Sequence, residues 1–253
     1  MSQDTDIRIT ASGSDWAQAA AELLRVTSDT LVHSNGRCLV ALSGGSTPKT
    51  LYDTLTTPEW KPRLQWEHML FLFGDERCVP PEHAESNFAM AQKALFIPLN
   101  IAPHQVYRMK GEAEDPVSAA RDYEATLRQL THSSPPMALP HIDLILLGLG
   151  DDGHTASLFP GSPALAETSK AVTVSHSPKG VAARLTLTLG VINGATVVVF
   201  LVTGSSKAPM VRAILEPHDT AERSLPAALV APTSGQLIWM LDQAAASQLS
   251  GRH

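Results

Sequence analysis

His154 stands two residues after Asp152 in the segment GDDGHTASLFPG, residues 150–161. A carboxylate at that spacing can orient an imidazole, and an oriented imidazole can take a proton from water. Taken alone, the pair reads better as a loop histidine beside a helix-capping aspartate, so its weight depends on what else gathers around it. A metal site built from Asp151, Asp152 and His154 is disfavoured, because no second histidine stands at ligand spacing. The stretch GLGDDG, residues 148–153, matches the GxGxxG spacing of dinucleotide sites. It follows an internal strand, and two aspartates would face a pyrophosphate, so that reading fails.

A second group of residues is suited to phosphate. SGGSTP, residues 43–48, offers hydroxyls from Ser43, Ser46 and Thr47 and open amides from Gly44 and Gly45, with Pro48 expected at the first helical position. It lacks the GKS or GKT ending of a nucleotide loop, and no GxSxG nucleophile motif is present. Arg77, Arg184 and Lys207 are the cations available to a phosphate, and an arginine can hold one through two parallel hydrogen bonds. Each, taken singly, is ordinarily a solvated surface charge. Asp75 and Glu76 beside Arg77 read either as a surface salt bridge or, for Asp75, as a carboxylate placed to bind sugar hydroxyls.

These residues share one placement. CLVAL (38–42), MLFLF (69–73), DLILLGL (143–149) and TVVVFLV (196–202) are short, continuous apolar runs, the form of parallel strands buried on both faces. Helical patterns alternate with them: a helix capped by Ser14 and running to about Ser34, then Pro48 to Leu55, Ser86 to Leu95, Val117 to Leu130 and Lys207 to Leu215. That alternation predicts a three-layer α/β/α fold with a mostly parallel sheet. LTLTL (185–189) reads as an alternating strand with one polar face, and 131–140 as a long surface connection rather than a domain boundary. SGGSTPK, GDERCVP, GDDGHTASLFPG and TGSSKA each follow an apolar run. In an open parallel sheet such loops meet at one edge, where ligands bind, so the four are expected to form a single site.

Composition sets the boundaries. The chain has 253 residues, 43% apolar and 17% charged, enough for one globular core, and all 253 are expected to form a single catalytic domain. A formal charge of -6 argues against nucleic acid, which calls for a basic surface. No apolar run nears the roughly 20 residues a bilayer requires, and MSQDTDIRIT lacks signal-peptide character, so no membrane partner and a cytoplasmic location are expected. Of the two cysteines, Cys38 reads as core and Cys78 as an incidental loop thiol.

SGGSTPKTLY, FGDERCVPPEHAESNFAMA, DLILLGLGDDGHTASLFPG and RLTLTLGVINGATVVVFLVTGSSKA together resemble the 6-phosphogluconolactonase family, from about Val40 to Lys207 and in order. The resemblance implies a modified Rossmann-like α/β/α domain, shared with glucosamine-6-phosphate deaminases, that hydrolyses 6-phosphoglucono-δ-lactone to 6-phosphogluconate in the oxidative pentose phosphate pathway. It implies no cofactor and no metal. It makes His154 the general base, SGGSTP the holder of the 6-phosphate, Arg184 and Lys207 its cationic partners, and Arg77 a further phosphate or sugar contact. Asp75 and Asp152 match the family as well, with their division of labour open. Two alternatives stand beside this reading. A deaminase would carry glutamate five positions after the histidine, where this chain has Phe159. A non-catalytic sugar-phosphate sensor would need a DNA-binding partner domain and would have no use for the Asp152 and His154 pair.

Overall fold

The computed structural model describes residues 5–11, 13–133 and 138–251. Its elements are, in order, β1 (Thr5–Thr10), α1 (Gly13–Asn35), β2 (Cys38–Leu42), α2 (Ser46–Leu55), β3 (Met69–Phe73), β4 (Asp75–Arg77), α3 (Asn87–Ala91), α4 (Ile97–Leu99), α5 (Pro116–Thr131), β5 (Leu144–Leu147), β6 (Val172–His176), β7 (Ala183–Leu187), α6 (Leu189–Asn193), β8 (Val197–Val202), α7 (Ala208–Leu215), α8 (Thr220–Arg223) and β9 (Gln236–Asp242). A π-helical stretch, Gln92–Phe96, joins α3 to α4.

Six strands form the central sheet in the order β1-β9-β8-β5-β2-β3, and every pairing in it is parallel. The four continuous apolar runs are its interior and one edge, which is why they carry no polar face. Successive side chains point to opposite faces and build two cores. Val40, Leu42, Phe71, Phe73, Leu144, Leu146, Val199 and Leu201 pack under α1 and α2. Leu39, Ala41, Leu72, Ile145, Leu147, Val198, Phe200 and Trp239 pack against α5, α6 and α7. This is the expected three-layer architecture. Trp16 of α1 anchors its layer by donating its indole N–H to the Met240 carbonyl at 2.9 Å.

A second, antiparallel sheet in the order β4-β7-β6 lies outside the four-strand expectation. It also corrects the reading of LTLTL. Thr186 and Thr188 are both fully buried, so no polar face looks outward. Their hydroxyls are satisfied internally, that of Thr186 by the Leu187 carbonyl at 3.0 Å and that of Thr188 by the Lys170 carbonyl at 2.8 Å. Three smaller corrections concern boundaries. Ser14 lies inside α1 rather than capping it. Because α2 begins at Ser46, Pro48 is its third residue, a position whose N–H has no intrahelical partner either. α5 takes in Thr131, and within the expected surface connection residues 134–137 lie outside the described residues. No helix among the described residues is long and apolar enough to cross a membrane.

Since the central strands run parallel, the segments after Leu42, Phe73, Leu147 and Val202 emerge at one edge. The site is built there.

Candidate active site

The loop after β5 is shaped around one imidazole. Asp152 Oδ1 accepts from His154 Nδ1 at 2.5 Å and from the His154 amide at 3.1 Å, so one carboxylate fixes both ring and backbone. With Nδ1–H donated to a carboxylate, the lone pair of the neutral ring lies on Nε2. Burial opposes ionisation of Asp152, but the hydrogen bonds from His154 outweigh it and hold the carboxyl below its ordinary value. The Gly150 amide donates to the His154 carbonyl at 2.8 Å, closing the loop on itself. A Cβ on Gly150 would fall 2.0 Å from His154 Nδ1, so the glycine of this GDDG is space for the ring. Phe159 lies against the other side, its ring centroid 4.6 Å from that of His154.

SGGSTP is held from below by Tyr52 of α2. The Ser43 amide donates to the Tyr52 hydroxyl at 3.2 Å, and that hydroxyl donates to the Ser43 carbonyl at 2.9 Å. Gly45, at φ 100°, turns the chain into α2 through a conformation few other residues adopt. Thr47 shares a hydrogen bond of 2.8 Å with Thr203 of the TGSSKA loop. That loop has its own anchor, as Asp242 at the end of β9 accepts from the Gly204 amide at 3.0 Å. Lys207 follows, its Nζ 2.5 Å from Asp151 Oδ1.

The GDER segment departs most from expectation. Asp75 and Glu76 form no surface salt bridge; they are 7% and 2% exposed. Glu76 accepts from the Arg77, Asn87 and Phe88 amides, each at 2.8 Å, and from the Ser86 hydroxyl at 3.0 Å, thereby capping the start of α3. Burial pushes its carboxyl above the usual value despite those amides. Asp75 accepts from the Ser157 hydroxyl at 2.6 Å and from Asn87 Nδ2 at 3.1 Å. Arg77 donates to the Glu85 carbonyl, while its Nε is buried and unpartnered. Across the small sheet its register partner is Arg184, whose Nε donates to the Val181 carbonyl at 2.7 Å. Burial first, then the charge of Arg77, lower the proton affinity of Arg184. Two adjacent cations, one of them buried, gain from a nearby anion.

A cleft of about 270 Å³ brings together Ser43, Gly44, Gly45, Asp75, Arg77, His154 and Lys207. A recess of about 150 Å³ continues from it over Ser46 and Thr47, sharing Gly44, Gly45 and Lys207. Asp152 stands behind the imidazole, and Arg184 behind Arg77, neither lining the cleft wall. Asn87 does line it, and sequence spacing gave no hint of that. Its role is close packing, since a Cβ on Gly44 would sit 1.9 Å from Asn87 Oδ1. Asp151, considered only as a metal ligand, is a further wall residue. Among the described residues no group of three or more histidine, cysteine, aspartate or glutamate side chains is placed to hold a metal ion. Cys38 is buried and Cys78 half-buried, with burial raising both thiols and Asp143 and Glu76 adding to it. That disfavours the thiolate at both.

The chain matches, over residues 11–239, the family described as glucosamine-6-phosphate isomerases/6-phosphogluconolactonase. A 6-phosphogluconolactonase of Nostoc sp. is 36% identical over 229 residues, 90% of this chain and 92% of the relative. One of Synechocystis sp. is 41% identical over 221 residues, 86% of this chain and 87% of the relative. The solved 6-phosphogluconolactonase from Trypanosoma cruzi shares the fold with a TM-score of 0.85 at 32% identity, over 99% of this chain and 98% of that one.

Proposed function

The chain belongs to the glucosamine-6-phosphate isomerase/6-phosphogluconolactonase family, and from that premise we propose how its cleft works as a lactonase. The chain is a hydrolase that opens 6-phosphoglucono-δ-lactone to 6-phosphogluconate, a step of the pentose phosphate pathway. His154 Nε2 takes a proton from water, the water oxygen attacks C1, and the carbonyl electrons move onto oxygen. As the tetrahedral species collapses, the ring oxygen leaves and takes the proton back from His154. Asp152 holds the imidazole and stabilises its charged form. SGGSTP and Lys207 take the phosphate; Arg77 is a further anion contact, with Arg184 next to it adding charge without lining the cleft, and Asp75 is a partner for sugar hydroxyls. The observation that carries this reading is the 2.5 Å Asp152 to His154 contact at the cleft. Phe159, not a carboxylate, packs on the ring, which favours hydrolysis over the ring-opening chemistry of a deaminase.

The reading takes the 253 residues as one catalytic unit with a sugar-phosphate ligand. The charge of -6 disfavours a nucleic-acid partner. The two free cysteines suit a reducing compartment such as the cytoplasm.

His154→Asn tests the mechanism. The variant keeps a polar side chain but no base, so kcat on the phosphorylated lactone is expected to fall at least about 10²-fold. Binding of 6-phosphogluconate should stay near wild type. Spontaneous lactone opening is subtracted throughout. A folded variant within about threefold of wild-type kcat removes His154 from the chemistry.

A further inference from the structure

Lys207, the cation at the junction of the cleft and its recess, already has an anion. Its Nζ lies 2.5 Å from Asp151 Oδ1. The two residues come from loops after neighbouring strands, β5 and β8, so the pair crosses the mouth of the site. Asp151 and Asp152 are consecutive but differently committed. Asp152 makes two hydrogen bonds to His154, whereas the Asp151 carboxylate has Lys207 as its hydrogen-bond partner and its side chain is 76% exposed. The Lys207 side chain is only 25% exposed, so its ammonium has limited water and a standing need for a counter-ion.

We propose that Asp151 is an internal stand-in for the substrate's phosphate: it neutralises Lys207 in the empty cleft, yields it when a phosphate arrives, and reclaims it as product leaves. The inference rests on the phosphate reading of the cleft given above. A phosphate group carries close to two charges and three acceptor oxygens, so it displaces a single carboxylate that is mostly in water. Lactone opening leaves the phosphate on the product. Substrate and product therefore meet the same phosphate site, and with Lys207 otherwise unpaired both would be held more tightly. With Asp151 in competition, the ammonium that product gives up is paired again at once. Asp151 is charged at neutral pH, since the hydrogen bond and charge of Lys207 hold its carboxyl below the ordinary value.

The test is calorimetric titration of the full chain with 6-phosphogluconate and with gluconate. Exposed ion pairs of this kind change a binding constant by roughly two- to fivefold. Asp151→Asn is expected to tighten 6-phosphogluconate by that factor and to leave gluconate where it was. Asp151→Glu, which keeps the charge, should return to wild-type affinity. In a Lys207→Ala background, Asp151→Asn should no longer tighten binding. Unchanged or weaker binding of 6-phosphogluconate by Asp151→Asn overturns the proposal, as does tightening that persists without Lys207. If the wild type fails to prefer 6-phosphogluconate to gluconate, the phosphate reading itself falls and takes the inference with it.

Discussion

Gly150 shows how narrow the tolerance around the proposed base is. Its missing side chain is occupied by the His154 ring, with Nδ1 2.0 Å and Cε1 2.2 Å from where a Cβ would be. In Gly150→Ala the imidazole must shift, because a ring held by Asp152 on one side and Phe159 on another has little slack. A displacement of about 1 Å at a reacting group is worth about 10² in rate. Gly150→Ala is therefore expected to lose about 10- to 10²-fold in kcat while 6-phosphogluconate affinity and the unfolding midpoint change little. Steady-state kinetics with a parallel melt checks this, and full activity would show that the loop relaxes around the methyl. Ala156 lies six residues further on at φ 49°, a left-handed conformation uncommon for a residue with a side chain. It too lines the cleft, so backbone strain sits beside the imidazole.

At the scale of elements, Glu76 joins two of them. It lies on β4, caps α3 through three hydrogen bonds from Ser86, Asn87 and Phe88, and accepts a fourth from its sequence neighbour Arg77. Glu76→Gln turns one accepting oxygen into a donor facing the amides of Arg77 and Asn87 or that of Phe88. A buried mismatch of this type is worth about 1–3 kcal/mol. The variant should lose that much stability in a denaturant titration, and a neutral result would mean the site hydrates on mutation. The pH dependence has a defined sign. A carboxyl raised above its unfolded value holds its proton longer in the folded state, so its contribution is greatest below the unfolded value of 4.5 and declines as pH rises through the raised one. Glu76→Gln should remove that decline. β2, β3, β5 and β8 were legible because strands buried on both faces read as unbroken apolar runs, and QLIWMLD of β9 carries the same signal. β4 was not legible: DER has no strand character of its own and is extended because it pairs with β7, more than a hundred residues away. The histidine, the glycine loops and the cations could be read from residue type and from their place after strands. The burial of Glu76 and the Asn87 wall depend on the contact of β4 with the start of α3, which spacing does not encode.

At the scale of the molecule, charge works in two directions. The chain carries -6 overall, yet its cleft presents Lys207 and Arg77 with Arg184 behind them. The attraction of those cations for a phosphate bound as proposed would be screened over a Debye length, about 8 Å at physiological salt. KM for the phosphorylated lactone should therefore rise as salt is raised from about 0.02 to about 0.3 M, while that for unphosphorylated gluconolactone stays level. A falling KM would mean that the negative field of the whole molecule dominates. The sheet itself joins the start of the described chain to its end, since β1 pairs only with β9, from Thr5 opposite Leu237 to Thr10 opposite Asp242. During synthesis at about 5–20 residues per second, β1 waits for its β9 partner until the whole stretch between Thr10 and Gln236 has been made. The catalytic loops wait too. His154 and Lys207 are translated well before Asp242, but the Gly204 amide at the head of the Lys207 loop is tied down only by that last strand. A nascent chain can thus hold every residue of the proposed site and still lack the tether of its Lys207 loop, so the cation is expected to be set in place only once β9 has formed.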